Sequence, residues 1–244
     1  MLFRSGQYGN ALQAASYGGN EAIVKLLLEN GAEVNAESGR YGNALQAASH
    51  NGNEAIVKLL LVNGAKVNAE GGCFGNALQA ASSTGSEVIV KLLLENGAEV
   101  NAEGGTYQNA LQAALYIDNE AIVKLLLENG VDVNAKGPGG YFGNALQAAL
   151  FKGNEAIVKL LLDNGADVNA EGGHFGNALQ AASYSGNEAI VKLLLDNGAE
   201  VNAEGGIYRN ALQAASDQGN EAIIKLLLQN GAEVNAGEHF ANAL

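Results

Sequence analysis

Few side chains in this sequence are of a type and spacing that performs covalent chemistry. The three histidines, His50, His174 and His239, are widely separated along the chain. They form no local metal motif, because a metal site needs several converging ligands. Cys73 is the single cysteine, and no neighbouring residue in sequence marks it as an activated thiol. Carboxylates such as Glu21 and Glu33 recur at a regular interval, as solvated scaffold does and as a tuned acid–base pair does not. The run Gly137-Pro138-Gly139-Gly140 lacks the lysine and the strand–helix context of a phosphate loop, and no GxxxxGK[ST] string occurs. The sequence therefore reads as non-enzymatic, with no metal and no cofactor.

One aromatic row remains as a candidate for binding chemistry. Tyr8, Tyr41, Phe74, Tyr107, Phe142, Phe175, Tyr208 and Phe240 recur like a stacking platform. A platform for bases needs interleaved cations. The chain instead has 13 Lys+Arg against 26 Asp+Glu and a formal charge of -13. Such a surface repels phosphate backbones and anionic membranes, which excludes nucleic acid and membrane as partners. Packing of one loop on the next is the expected role of this row. A lone cysteine points to a reducing compartment, and MLFRSGQYGN contains no apolar signal core. A cytoplasmic or nuclear setting is expected.

The elements that position these residues follow from one period. The string NAL recurs at Asn10, Asn43, Asn76, Asn109, Asn144, Asn177, Asn210 and Asn242. Such self-similarity outranks any local reading. The expected repeats are 10–42, 43–75, 76–108, 109–143, 144–176, 177–209 and 210–241, with partial repeats 1–9 and 242–244, in a single domain 1–244.

In the first repeat, Asn10 is placed to cap a short helix from Ala11 to about Tyr17. Gly18-Gly19 ends it. Asn20 caps a second helix from Glu21 to about Glu29, and Gly31 follows as its left-handed terminator. The remainder, AEVNAESGRYG, is an extended finger or β-hairpin. The second helix carries Glu21, Lys25 and Glu29 on one stripe and apolar residues elsewhere, so neighbours must cover both flanks. Glu precedes Lys by four positions in every repeat, from Glu21/Lys25 to Glu221/Lys225, the favoured orientation for an ion pair. Alanine-rich first helices approach closely and leucine-rich second helices do not. The stack is therefore expected to curve, with first helices on the concave side.

The string NALQAASYGGNEAIVKLLLENGAEVN resembles the ankyrin repeat pattern TPLH-x-AA-x-x-G-H-x-x-x-V-x-x-LLL-x-x-GA-D-V-N, and the resemblance covers essentially the whole chain. It implies an all-α solenoid of helix-turn-helix units that binds protein partners on fingers and concave face. NALQ replaces TPLH, so Asn10 and Gln13 stand in for the family's Thr-Pro start and bridging histidine. This NALQAAS variant resembles ankyrin arrays of filamentous fungi that are often attached to NACHT-type sensor proteins. No nucleotide-binding region accompanies it here.

Differences between repeats collect in two places. At the end of the first helix they are His50, Asn51, Ser83, Thr84, Leu115, Tyr116, Ile117, Leu150, Phe151, Lys152, Tyr184, Ser185, Asp217 and Gln218. At the finger they are Arg40, Cys73, Thr106, Gln108, Tyr141, His174, Ile207 and Arg209. Loops tolerate change, yet binding residues also sit on loops over a rigid scaffold. The resemblance favours a partner-binding surface, with Leu115, Tyr116, Ile117, Tyr141, Leu150 and Phe151 either as exposed anchors or, for Leu115 and Leu150, as side chains that pack against each other. The alternative is a passive spacer or self-assembling scaffold. No polar cap is recognisable at either end, so a segment of a longer array is expected. Exposed Ile223, Leu226 and Leu227 would then drive end-to-end self-association.

Overall fold

The computed structural model describes residues 8–136 and 143–235. The expectations on Tyr141, Phe142, His239, Phe240, the 137–140 insertion and residues 242–244 lie outside the described residues. The chain divides into two compact units, Met1–Asp132 and Val133–Leu244.

The first unit contains α1 (Ala11–Tyr17), α2 (Glu21–Glu29), α3 (Ala44–His50), α4 (Glu54–Val62), α5 (Ala77–Thr84), α6 (Glu87–Glu95), α7 (Ala110–Tyr116) and α8 (Glu120–Glu128). The second contains α9 (Ala145–Lys152), α10 (Glu155–Asp163), α11 (Ala178–Ser185), α12 (Glu188–Asp196), α13 (Ala211–Asp217) and α14 (Glu221–Gln229). Among the described residues the fold is all-helical apart from isolated bridges in the fingers.

Capping explains these limits. Asn43 Oδ1 accepts from the Gln46 backbone N–H at 2.9 Å, and Gln46 Oε1 accepts from the Asn43 N–H at 3.1 Å. Two orphan donors are thereby satisfied at once. Asn20 accepts from Ile23 N–H at 3.3 Å and starts α2. At the far end, Asn30 Nδ2 donates to the Leu26 carbonyl at 2.8 Å, and Gly31 turns left-handed with φ 83°. Gly18 differs from expectation. It stays right-handed at φ -70°, and Gly19 alone makes the turn.

Each helix pair packs on the next. In the first unit, first helices run α1 on α3 on α5 on α7 and second helices α2 on α4 on α6 on α8. In the second unit the same order links α9, α11 and α13, and α10, α12 and α14. Ile56, Val57 and Leu60 of α4 are buried, as are Ile190, Val191 and Leu194 of α12. Each such side chain contributes roughly 1.5–3 kcal/mol. The Glu–Lys rows contribute less than their regularity suggests. Among the described residues only Glu54–Lys58 and Glu221–Lys225 close to ion pairs, at 2.5 and 2.6 Å. Both are well exposed, where water competes for each charge.

Candidate interaction surface

The fingers are built from short backbone clasps. Ser38 N–H donates to Gly42 C=O, Gly71 to Gly75 and Gly104 to Gln108, all at 2.7 Å. Gly172 to Gly176 and Gly205 to Arg209 repeat the clasp in the second unit. Neighbouring tips are then tied together. Cys73 N–H donates to Arg40 C=O and Thr106 N–H to Cys73 C=O, both at 2.8 Å. Thr106 Oγ1 adds a second bond to Cys73 C=O at 2.8 Å. In the second unit Ile207 N–H reaches His174 C=O at 3.3 Å.

The residue closing each clasp needs a left-handed backbone. Gly42 has φ 82°, and a Cβ there would lie 1.9 Å from Gln46 Oε1. Gln108 and Arg209 occupy this position with φ 69° and 62°, a conformation costly for L-residues. Both clasps still form.

Two side-chain ladders hold finger to helix and repeat to repeat. The first uses the NALQ glutamine. Gln46 Nε2 donates to Ala69 and Gly75 carbonyls of the next finger, both at 3.0 Å. Gln13, Gln79 and Gln180 make the equivalent bonds. Glutamine therefore does the bridging work expected of it. The second ladder was not read in the sequence. Asn35 Nδ2 donates to Gly64 C=O at 3.0 Å while Asn35 Oδ1 accepts from Lys66 N–H at 2.8 Å. Asn68, Asn101, Asn134, Asn169 and Asn202 repeat this two-ended bridge. The available signal was that this asparagine never changes while the residue two before it is Glu, Lys or Asp.

The aromatic row packs finger on finger and also against helix-one ends. Tyr8, Tyr41 and Phe74 stack with centroids 5.9 and 6.1 Å apart. Tyr17 lies 4.8 Å from Tyr41, and His50 lies 4.2 Å from Phe74. Tyr116 packs on Tyr107 at 5.1 Å, and Tyr184 bridges Phe175 and Tyr208 at 5.3 and 5.0 Å. Burial pushes the His50 imidazole below its usual range, and the nearby Arg40 guanidinium acts in the same direction. A hydrogen bond with the Cys73 side chain raises Arg40. Burial raises the Tyr107 hydroxyl, with smaller contributions from Tyr116 and Cys73.

Against this frame, the positions that differ between repeats separate into three groups. Arg40, Asn51, Thr84, Thr106, Tyr116, Phe151, Lys152, His174, Ser185, Ile207, Arg209, Asp217 and Gln218 are exposed. His50, Cys73, Ser83, Gln108, Ile117 and Tyr184 are partly covered. Leu115 and Leu150 are fully buried, which corrects their reading as exposed anchors. Their position holds Ser16, Ser49, Ser82 and Ser183 in other repeats, and these are buried too. A leucine there enlarges the core. Tyr116 and Phe151, one residue further on, are 57% and 51% exposed. Some polar side chains are occupied locally: Ser83 Oγ donates to Ala80 C=O and Ser185 Oγ to Ala182 C=O.

The end faces also depart from expectation. Ile223 and Leu227 are buried and Leu226 is partly covered, because α12 packs over α14. Among the described residues no three His, Cys, Asp or Glu side chains converge as a metal site, and no helix is long and apolar enough to cross a membrane.

Paired helices with clasped fingers, repeated at one period, define a repeat-array protein. A family profile described as ankyrin repeats (3 copies) matches residues 4–71, 45–137, 78–172, 112–205 and 146–238. The chain belongs to the ankyrin repeat family. Among solved structures it is similar to the human ASB11 ankyrin repeat domain, at 27% identity over 92% of this chain and 99% of that one, with a TM-score of 0.77. It is also similar to the ankyrin repeat domain of Bcl-3, described as a unique member of the IkappaB protein family. That match has 26% identity over 90% of this chain and 98% of that one, with a TM-score of 0.75. No curated protein matches the sequence.

Proposed function

We propose that this ankyrin chain is a non-catalytic module that binds a protein partner through its finger tips and helix-one ends. One observation carries the reading. The buried core and the two ladders stay nearly constant between repeats, as do the exposed Glu–Lys stripe and the Asn-Gly that ends each second helix, while most of the residues that differ are exposed at tips and helix-one ends. Varied side chains on a rigid frame are how a constant fold acquires specificity. Tyr116 in the first unit and Phe151 in the second are large aromatic members of that set, and Ile207 in the second is its exposed aliphatic member. The two aromatics are the type of residue that anchors an interface.

The NALQAAS resemblance supports a narrower role, the recognition part of a fungal sensor protein. The single thiol Cys73 supports a cytoplasmic site of action. Near-identity of the second helices favours one other reading, a spacer or self-assembling scaffold. The two separate in one experiment. Replacing Tyr116 and Phe151 with Ser abolishes capture of a partner from fungal lysate if the surface recognises it. Undiminished capture overturns the assignment of these anchors.

A further inference from the structure

Asn-Gly steps occur in two settings in this chain. One follows each second helix, as Asn30-Gly31 follows α2 and Asn63-Gly64 follows α4. The other is Asn51-Gly52, which follows the first helix α3. An asparagine before glycine is open to attack by the backbone on its side-chain amide, because glycine has no Cβ to block the approach.

Exposure does not separate the two settings, since Asn30, Asn51 and Asn63 all reach solvent. Backbone conformation does not either. Asn51 has φ -90° and ψ 3°, and Asn30 has φ -96° and ψ 18°. Room is equal too, because a Cβ at Gly31, Gly52 or Gly64 would meet nothing within 4 Å. The side chain is what separates them. Asn30 Nδ2 donates to Leu26 C=O at 2.8 Å, and the asparagine after every other second helix repeats this clamp at the same distance. The Asn51 side chain makes no hydrogen bond among the described residues. The attacking nitrogen is also held less closely. Gly52 N–H lies 3.3 Å from Ser49 C=O, whereas Gly31 N–H lies 3.0 Å from Leu28 C=O.

We infer that Asn51 is a site of spontaneous deamidation, a modification that the side-chain clamps slow at the other Asn-Gly steps. The Gly52 nitrogen gives its proton to hydroxide and bonds to Asn51 Cγ. The Cγ–Nδ2 bond breaks, and Nδ2 takes a proton from water and leaves as ammonia. Water then opens the cyclic imide. Addition at Cγ leaves aspartate, and addition at the Asn51 backbone carbonyl leaves isoaspartate, with the chain rerouted through the side chain. Either product puts a carboxylate at the C-terminal end of α3, where the helix dipole disfavours it. Isoaspartate also lengthens the backbone just before Asn53. The Asn53 N–H holds Ala48 C=O and its Nδ2 holds Ser16 C=O, both at 3.0 Å. The modification therefore loosens the turn that ties the second repeat to the first. The chemistry needs no partner protein and is independent of the binding reading.

The test holds the purified full chain in mildly alkaline buffer, samples it over days and maps tryptic peptides by mass spectrometry. Asn51 falls in the peptide 41–58. A clamp must open before its asparagine reacts, so acid is expected to accumulate at Asn51 about five-fold faster or more than at any second-helix asparagine. In urea that unfolds the chain the clamps are gone, and all the Asn-Gly steps are expected to react at similar rates. Asn51→Gln is expected to remove the signal from peptide 41–58, because glutamine would have to close a larger ring. A native rate at Asn51 no higher than at the second-helix sites, the same preference persisting in urea, or a signal that survives Asn51→Gln overturns the inference. Partner capture from lysate is a separate readout that none of these outcomes touches.

Discussion

Replacing Gln46 with Leu tests whether the glutamine ladder holds a finger to its helix. Gln46 is fully buried. Its Oε1 accepts from Asn43 N–H, and its Nε2 donates to Ala69 and Gly75 carbonyls. Leucine keeps the volume and loses all three bonds. Gly75 C=O keeps a donor, the Gly71 N–H at 2.7 Å, and suffers little. Asn43 is buried, so its orphaned N–H costs about 1–3 kcal/mol. Ala69 is partly exposed, and its carbonyl costs about 1 kcal/mol because water reaches it. Greater apolar burial of leucine offsets about 1 kcal/mol. The expected net loss is about 1–3 kcal/mol. The control is Gln229→Leu, the same change at an exposed helical position, which is expected to shift stability by less than about 0.5 kcal/mol. Urea unfolding followed by circular dichroism measures both. Repeat arrays can unfold in stages, so hydrogen exchange at Asn43 N–H supplies a local readout. It should exchange faster in Gln46→Leu than in the wild type. Equal effects of the two substitutions, or unchanged exchange at Asn43, would refute the bridging role.

Three further outcomes follow from the same geometry. Gln108→Gly and Arg209→Gly relieve left-handed backbone at φ 69° and 62° and should each raise stability by about 0.5–1 kcal/mol in urea unfolding; a loss would show that the side chain supports the finger. Ser82 Oγ is buried without a hydrogen-bond partner, so Ser82→Ala should be neutral or stabilising by up to about 1 kcal/mol, and a destabilisation beyond that would reveal a missed bond. The His50 imidazole is held below its usual range by burial and then by Arg40, so the unfolded chain takes up its proton first as pH falls. Its contribution is complete above the unfolded value of about 6.5 and declines as pH drops toward the lower folded value. His50→Phe should therefore lose less stability than the wild type between about pH 7.5 and 5.5 in urea titrations; parallel losses would remove His50 as a contributor.

The helices were legible because their signals are local. Asn10, Asn20 and Gly31 mark helix ends by their own hydrogen-bonding and backbone preferences. The leucine pattern marks the buried stripe. The surface was harder to read. Leucine at 115 and 150 stands where other repeats carry serine, and a difference at the end of the first helix reads equally as an exposed anchor or as packing. Ser16, Ser49, Ser82 and Ser183 are in fact buried, since the position faces a neighbouring repeat and not solvent. Sequence spacing within one helix carries no information about which flank a neighbour covers. The asparagine ladder was hidden for a related reason. Asn35 and Gly64 are 29 positions apart, and their bond exists only after stacking. The same holds at the ends, where Ile223 looked exposed and Ile23 is the residue left uncovered.

The account rests on a division between a constant frame and a recognising surface. The most direct test is capture from fungal lysate by the wild type and by a variant with Ser or Ala at the exposed finger-tip and helix-one-end positions. Both ladders and all second helices stay intact in the variant. A protein retained by the wild type and lost by the variant, with helix content unchanged, is the predicted result. Equal capture by both, or capture by neither, would contradict recognition through this surface and leave the spacer reading.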